Sequence, residues 1–156
     1  MKDLFNDVKA VTAFETKLLA GSTTTLKGIA VDRAGYDSAL AVVSVGDSPE
    51  TLAAGLYIQP IMLESDTTVD GDFTAVAVAD MLGGSQGAAG EIALINAPTE
   101  DKHVYMAGYR GTKRYLRVDF VLVGNNATGA SGSAAILLGH ASLTPNGATA
   151  RGAALT

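Results

Sequence analysis

The stretch VYMAGYRGTKRYLRVDFVLV, residues 104–123, reads as two strand-like runs around Gly111. In its second half Leu116, Val118, Phe120 and Leu122 alternate with Tyr115, Arg117 and Asp119. A period of two marks a half-buried strand, with one face on a core and the other toward solvent. Gly108 and Gly111 bracket Tyr109 and Arg110, so the backbone there can take positive φ or approach another chain closely. The segment is expected to form a β-hairpin whose turn carries the charges of Lys113 and Arg114.

Strand signals extend outward from this stretch in both directions. Residues 133–138, SAAILL, follow a polar stretch at 124–130, GNNATGA, which reads as a loop. On the other side, 91–97 is a short strand ended by Pro98, and 83–90, GGSQGAAG, is a glycine-rich loop. Residues 73–78 form a short strand or a single helical turn. Residues 56–64, LYIQPIMLE, form a strand in which Pro60 cannot donate to a ladder, so an edge or a bulge is expected there. Residues 38–45, SALAVVSV, are apolar at nearly every position and suggest a strand covered on both faces. Residues 23–31 are rich in threonine and branched side chains and precede the turn residues 32–35. The total is about seven or eight strands with turn signals every 8 to 15 residues or so, the spacing of an antiparallel sandwich or barrel. The expected core includes Leu40, Val42, Ile58, Leu116, Val118, Phe120, Ile136 and Leu138.

Helical spacing is confined to residues 1–16, where Leu4, Phe5, Val8 and Val11 fall on one face. Two turns of helix or a docking arm are expected. The expected organisation is an N-terminal arm at 1–21, a β-sandwich at 22–143 and a C-terminal tail at 144–156, the tail being mostly small residues with little to pack.

Composition narrows the function classes. The 156 residues hold 11 Lys and Arg against 16 Asp and Glu, a net charge of −5, which argues against wrapping nucleic acid. Only 17% of residues are charged while 47% are apolar, a bland surface suited to contact with other protein. There is no cysteine, so disulfides, thiolate chemistry and cysteine metal sites are excluded. Acids near the N-terminus interrupt any secretory core, and no apolar run reaches the ~18 residues of a membrane span. The expectation is a soluble protein without an export signal.

Candidate chemistry is sparse. His103 and His140 lack the close spacing of a metal pair. Glu64, Asp66, Asp70 and Asp72 do not follow the calcium-loop spacing and read as an acidic turn. The glycines of 83–90 lack the lysine and the helix of a phosphate loop, and no GxSxG elbow activates a serine. No catalytic, cofactor or metal residue is therefore assigned, and the expectation is a protein that is not an enzyme. The basic cluster Arg110, Lys113, Arg114 and Arg117 with Tyr109 and Tyr115 would suit single-stranded nucleic acid, but overall acidity speaks against that use.

The combination of RAGYDSA at 33–39, LESDT at 63–67, GDFTAV at 71–76, GYRGTKRYLRV at 108–118 and AILLGH at 135–140 resembles small structural proteins of tailed bacteriophages. The resemblance spans most of residues 28–145, and the order of the motifs carries it. It implies a head decoration or cement protein with a jelly-roll-like β-sandwich, bound to the outside of the capsid lattice of the virion, with the major capsid protein as partner. Self-association as a dimer, or alternatively a trimer, is expected from the low charge fraction. The contact with the shell is expected from the arm at Leu4, Phe5, Val8 and Val11 and from the turn at Tyr109, Arg110, Lys113 and Arg114. Three other readings compete. One is a carbohydrate- or receptor-binding sandwich using Tyr36, Tyr57 and Tyr109; another is an enzyme using the acidic cluster, which would need a metal or paired carboxylates in a cleft; the third is a head-to-tail or tail component.

Overall fold

The computed structural model describes residues 4–85 and 87–141. After the four-residue helix α1 (Leu4–Asp7) the chain is almost entirely β: β1 (Val8–Leu26), β2 (Val31–Asp32), β3 (Tyr36–Val45), β4 (Tyr57–Ser65), β5 (Thr74–Ala75), β6 (Met81–Gly83), β7 (His103–Tyr109) and β8 (Tyr115–Ala141). All pairings are antiparallel. The strand order β5-β4-β8-β3-β7-β6, with β1 and β2 also on β8, describes one curled sheet folded into two layers.

The fold is a jelly-roll-like sandwich in which two long strands belong to both layers. The first half of β8 pairs with β4 (Tyr57↔Val123 to Ser65↔Tyr115) and with the end of β1. Its second half pairs with β3 (Tyr36↔Ala141 to Val45↔Gly132) and with the start of β1. The first layer is therefore β5-β4-β8 with β1 and β2, and the second is β6-β7-β3-β8-β1. Residues 124–130, expected as a loop, form the bend of β8 between the layers, where Asn125, Asn126 and Ala130 stay paired with β1 (Ser22↔Asn125, Gly21↔Asn126, Leu19↔Ala130). The two strands turn the corner together, with register shifts on either side of the Gly21–Ser22 pairs, and N–H groups left out of the ladder find side-chain partners. Gly124 and Gly129, with φ of 77° and 74°, supply the left-handed residues of the bend. The Glu50 carboxylate accepts the N–H groups of Thr128 and Gly129 at 2.6 and 3.0 Å.

The expected hairpin at 104–123 does not form. β7 pairs with β3 and β6, whereas the first half of β8 pairs with β4, so residues 110–114 cross from one layer to the other. The sequence between the two runs resembles a turn because both a hairpin and a crossover require a tight, polar connection. Gly111 serves close approach: a Cβ there would lie 2.5 Å from the Tyr109 hydroxyl.

The core fills the space between the layers, with Ile58, Leu116, Val118, Phe120, Ile136 and Leu138 all fully buried as expected. Leu40 and Val42 are a correction. β3 turns Ala39, Ala41, Val43 and Val45 inward and leaves Leu40 and Val42 half-buried on the outer face. A run that is apolar on both sides has no alternation to reveal its inner face. Arg117 and Asp119 correct the reading in the other direction. Both are buried although they lie on the outward side of β8, because residues 27–30 and 70–73 lie over them: Gly28 donates its N–H to Asp119 at 2.9 Å and Phe73 stacks on the Arg117 guanidinium at 4.3 Å.

Pro60 is internal to β4, between β8 and the segment 90–95. Ile58 and Met62 donate to Ile95 and Gly90 at 3.1 and 2.7 Å. The strand's alternation therefore turns the missing N–H of Pro60 toward that irregular segment, and the regular ladder with β8 is left whole. Segment 90–95 also receives the Ser85 N–H at Ile92, which ties the β6 end of one layer to the β4 edge of the other.

At the N-terminus the helical reading holds only for Leu4–Asp7. From Val8 the chain is strand, and β1 runs without a break through the expected arm boundary at 21/22. Val8 pairs with Gly139 and Val11 with Ile136. Leu137 and Leu138 offer an apolar strand edge beside this segment, and pairing there outweighs a marginal short helix. The C-terminal tail at 144–156 lies outside the described residues.

Candidate functional site

The basic turn is built from three elements. Arg33, just after β2, donates to the carbonyls of Lys113 (2.5 Å), Gly111 (3.0 Å) and Tyr36 (3.3 Å) and lies 5.3 Å from the Tyr109 ring centre. Tyr109 is buried, donates its hydroxyl to Glu64 at 2.5 Å and accepts the Lys113 N–H at 2.9 Å. Burial, together with the bond to Glu64, pushes the Tyr109 hydroxyl pKa well above its ordinary value.

The basic residues of this turn are engaged within the chain. Lys113 pairs with Asp66 at 2.5 Å, and Arg114 grips Asp32 through two bonds at 2.8 and 3.1 Å. The Arg110 guanidinium donates to the Ala79 carbonyl at 2.8 Å. The charged side-chain hydrogen bonds hold the Asp66 and Asp32 carboxyls below their usual range. The expected acidic turn is thus the counter-charge of the expected basic turn: Glu64, Asp66 and Asp70 face Tyr109, Lys113 and Arg117. Asp70 also binds Lys27 at 2.5 Å, and that bond is the main reason its carboxyl pKa is lowered.

Of the expected anchors, Leu4 and Phe5 are 75% and 63% exposed, whereas Val8 and Val11 are half-buried in β1. Of the eight expected contact residues, Leu4 and Phe5 are thus exposed at the chain start, Val8 and Val11 lie half-buried in β1, Tyr109 is buried, Lys113 and Arg114 are paired with acids, and Arg110 bonds only a backbone carbonyl. Among the described residues no group of three or more His, Cys, Asp or Glu is arranged to hold a metal. No helix of the described residues is long and apolar enough to cross a membrane. Tyr109 is buried and Tyr36 and Tyr57 are half-buried, so these residues form no exposed aromatic platform.

Sequence reading missed a second surface, the outer face of the second layer. One row across the strands is Thr12, Ala135, Val42 and Met106. The next is Ala10, Leu137, Leu40, Gly108 and Leu82. Ser133, Ser44 and Val104 make a third. None of these residues carries a charge, and Leu82, Val104 and Met106 are 52%, 61% and 57% exposed. Val104 stands between two hollows and lines both. One, of about 510 Å³, is lined by Val42, Ser133 and Ala135 together with Glu15, and the other, of about 480 Å³, by Leu94 and Met106 together with Glu100. The only signal in the sequence was that 38–45 is apolar on both sides.

No protein-family model matches the chain, and no curated protein sequence matches it. Among solved structures the chain is similar to the SPBc2 prophage-derived protein YomS, with 15% identity, coverage of 85% of this chain and 93% of that one, and a TM-score of 0.47. It is also similar to a chain in the structure of infectious bursal disease virus, Gx strain, with 12% identity, coverage of 88% and 33%, and a TM-score of 0.47. A chain of the VP2 subviral particle of infectious bursal disease virus is 14% identical over 84% of this chain and 40% of its own length, with a TM-score of 0.28. At these identities and scores the likenesses carry no functional argument.

Proposed function

We propose that the chain is a non-enzymatic structural protein of a phage virion that binds the outside of the capsid lattice and stabilises it. The observation that carries this reading is the apolar outer face of the second layer, which spans five strands, exposes Leu82, Val104 and Met106 to solvent and has acids only in the lining of its two hollows, at Glu15 and Glu100. An apolar sheet face of that extent is the mark of a surface meant to be covered by protein. The motif resemblance to tailed-phage head proteins supplies the setting, and the exposed Leu4 and Phe5 supply apolar anchors toward the shell. A protein bound only to the assembled lattice stabilises that lattice by mass action.

The test is binding of the recombinant chain to particles of the encoding phage that lack it. Cosedimentation at a saturating, fixed copy number and a higher disruption temperature of the decorated particle are expected. The double variant Leu4→Asp/Phe5→Asp keeps β1 intact and should bind at least about tenfold more weakly. Absence of the protein from purified virions would sink the reading.

A further inference from the structure

We infer that the outer face of the second layer joins two copies of this chain in a face-to-face dimer related by a two-fold axis. The inference rests on the assembly reading above and names the partner of that face. Charge is the first argument. The chain carries a net charge of −5, yet Thr12, Leu40, Val42, Val104, Met106 and Leu137 on this face are all neutral. Two copies can therefore stack these uncharged rows on each other with the acids confined to the hollows, Glu15 in the first and Glu100, which already accepts the Asn96 and Ala97 N–H groups, in the second, whereas a partner with a charged surface would have to strip water from groups the rows cannot pair. A second copy presents the same uncharged rows.

Shape is the second argument. An isologous contact requires projection and recess on one patch, and Val104, 61% exposed, stands between two hollows of about 510 and 480 Å³. A two-fold axis through the patch seats Val104 of each copy in a hollow of the other. Size is the third. Five strands spaced about 4.8 Å apart, with roughly 20 Å of strand length, cover about 500 Å² per copy. The pair buries about 1,000 Å², the lower limit for a specific interface, so the dimer is expected to dissociate in the micromolar range.

The experiment is sedimentation of the full chain from about 1 to about 200 μM, a span that brackets that range. Wild-type chain should shift from monomer to dimer. Val104→Glu, which sets a carboxylate against the acids lining the other copy's hollows, should raise the dissociation constant at least tenfold, and an equimolar mixture of it with Val104→Lys should recover heterodimer, which also shows that both are folded. Val69→Glu, at a 61% exposed residue beside the 3-10 turn at Asp70–Asp72, should sediment as wild type. A wild-type chain that stays monomeric throughout, a trimer, or a mixture that fails to associate overturns the inference. A monomer that still saturates particles overturns the dimer and leaves the proposed function standing; a dimer that binds no particle does the reverse.

Discussion

Phe14 and Phe120 meet ring to ring between the two layers, their centroids 4.6 Å apart and their planes inclined by 60°. Phe14 comes from the part of β1 in the second layer and Phe120 from the part of β8 in the first. Both are fully buried, so the contact joins the layers at the centre of the sandwich. Phe120→Ala should cost about 3 to 5 kcal/mol, because the cavity cannot be refilled by side chains held on two sheets. Urea unfolding would measure it, and a loss under about 1 kcal/mol would remove the ring from the core.

Arg117 is 8% exposed at its side chain and bridges Asp119, 2.8 Å away, and Asp70, 2.7 Å away. Arg117→Met should destabilise by about 3 to 5 kcal/mol, since Asp119 would be left charged and buried with only the Gly28 N–H as partner. The double variant Arg117→Met/Asp119→Leu should recover most of that loss. A double variant no more stable than the single one would show that the pair itself, rather than the orphaned charge, sets the cost.

Acid should unfold this protein through Asp32, Asp66 and Asp70. Each carboxyl has a lowered pKa in the folded chain, held by Arg114, Lys113 and Lys27 respectively. The folded state therefore binds fewer protons than the unfolded state near the carboxylate range. The stabilisation is fully present above the unfolded value of about 4 and is lost as pH falls through the lower folded values. Urea midpoints should be flat from about pH 6 to 8 and fall below about pH 4. Asp32→Asn should make that fall shallower.

Arg114→Glu tests the basic crossover. The geometry turns Arg114 onto Asp32, so the reversal should leave particle binding unchanged at low and high salt. The swap Asp32→Arg/Arg114→Asp should restore the pairing. Binding that weakens more at low salt than at high salt would show that the crossover faces an acidic partner.

Glu50 holds the bend of β8. Its carboxyl pKa is lowered although burial pulls it up, because the Gly129 and Thr128 N–H groups bind the charged form. Glu50→Ala should speed amide exchange at Thr128 and Gly129 while the 116–122 amides stay protected. Unchanged exchange at the bend would show that pairing with β1 suffices to hold it.

What the sequence determined by itself was local. The alternation of Leu116, Val118, Phe120 and Leu122 with polar neighbours identified the buried face of that strand, because side-chain direction in a strand depends only on parity. The turn residues and the lack of long helical periods likewise marked an all-β sandwich. Tertiary structure decided everything that depends on distant segments. The hairpin reading of 104–123 failed because strand pairing is chosen by register and burial over the whole sheet, and β3 and β4 were the better partners. Arg117 and Asp119 are buried by residues from other parts of the chain, and the basic residues found their acids 82 and 47 positions away, at Asp32 and Asp66. The apolar face was illegible for the same reason: each strand contributes only one to three of its side chains, and only their lateral alignment in the sheet makes them a surface.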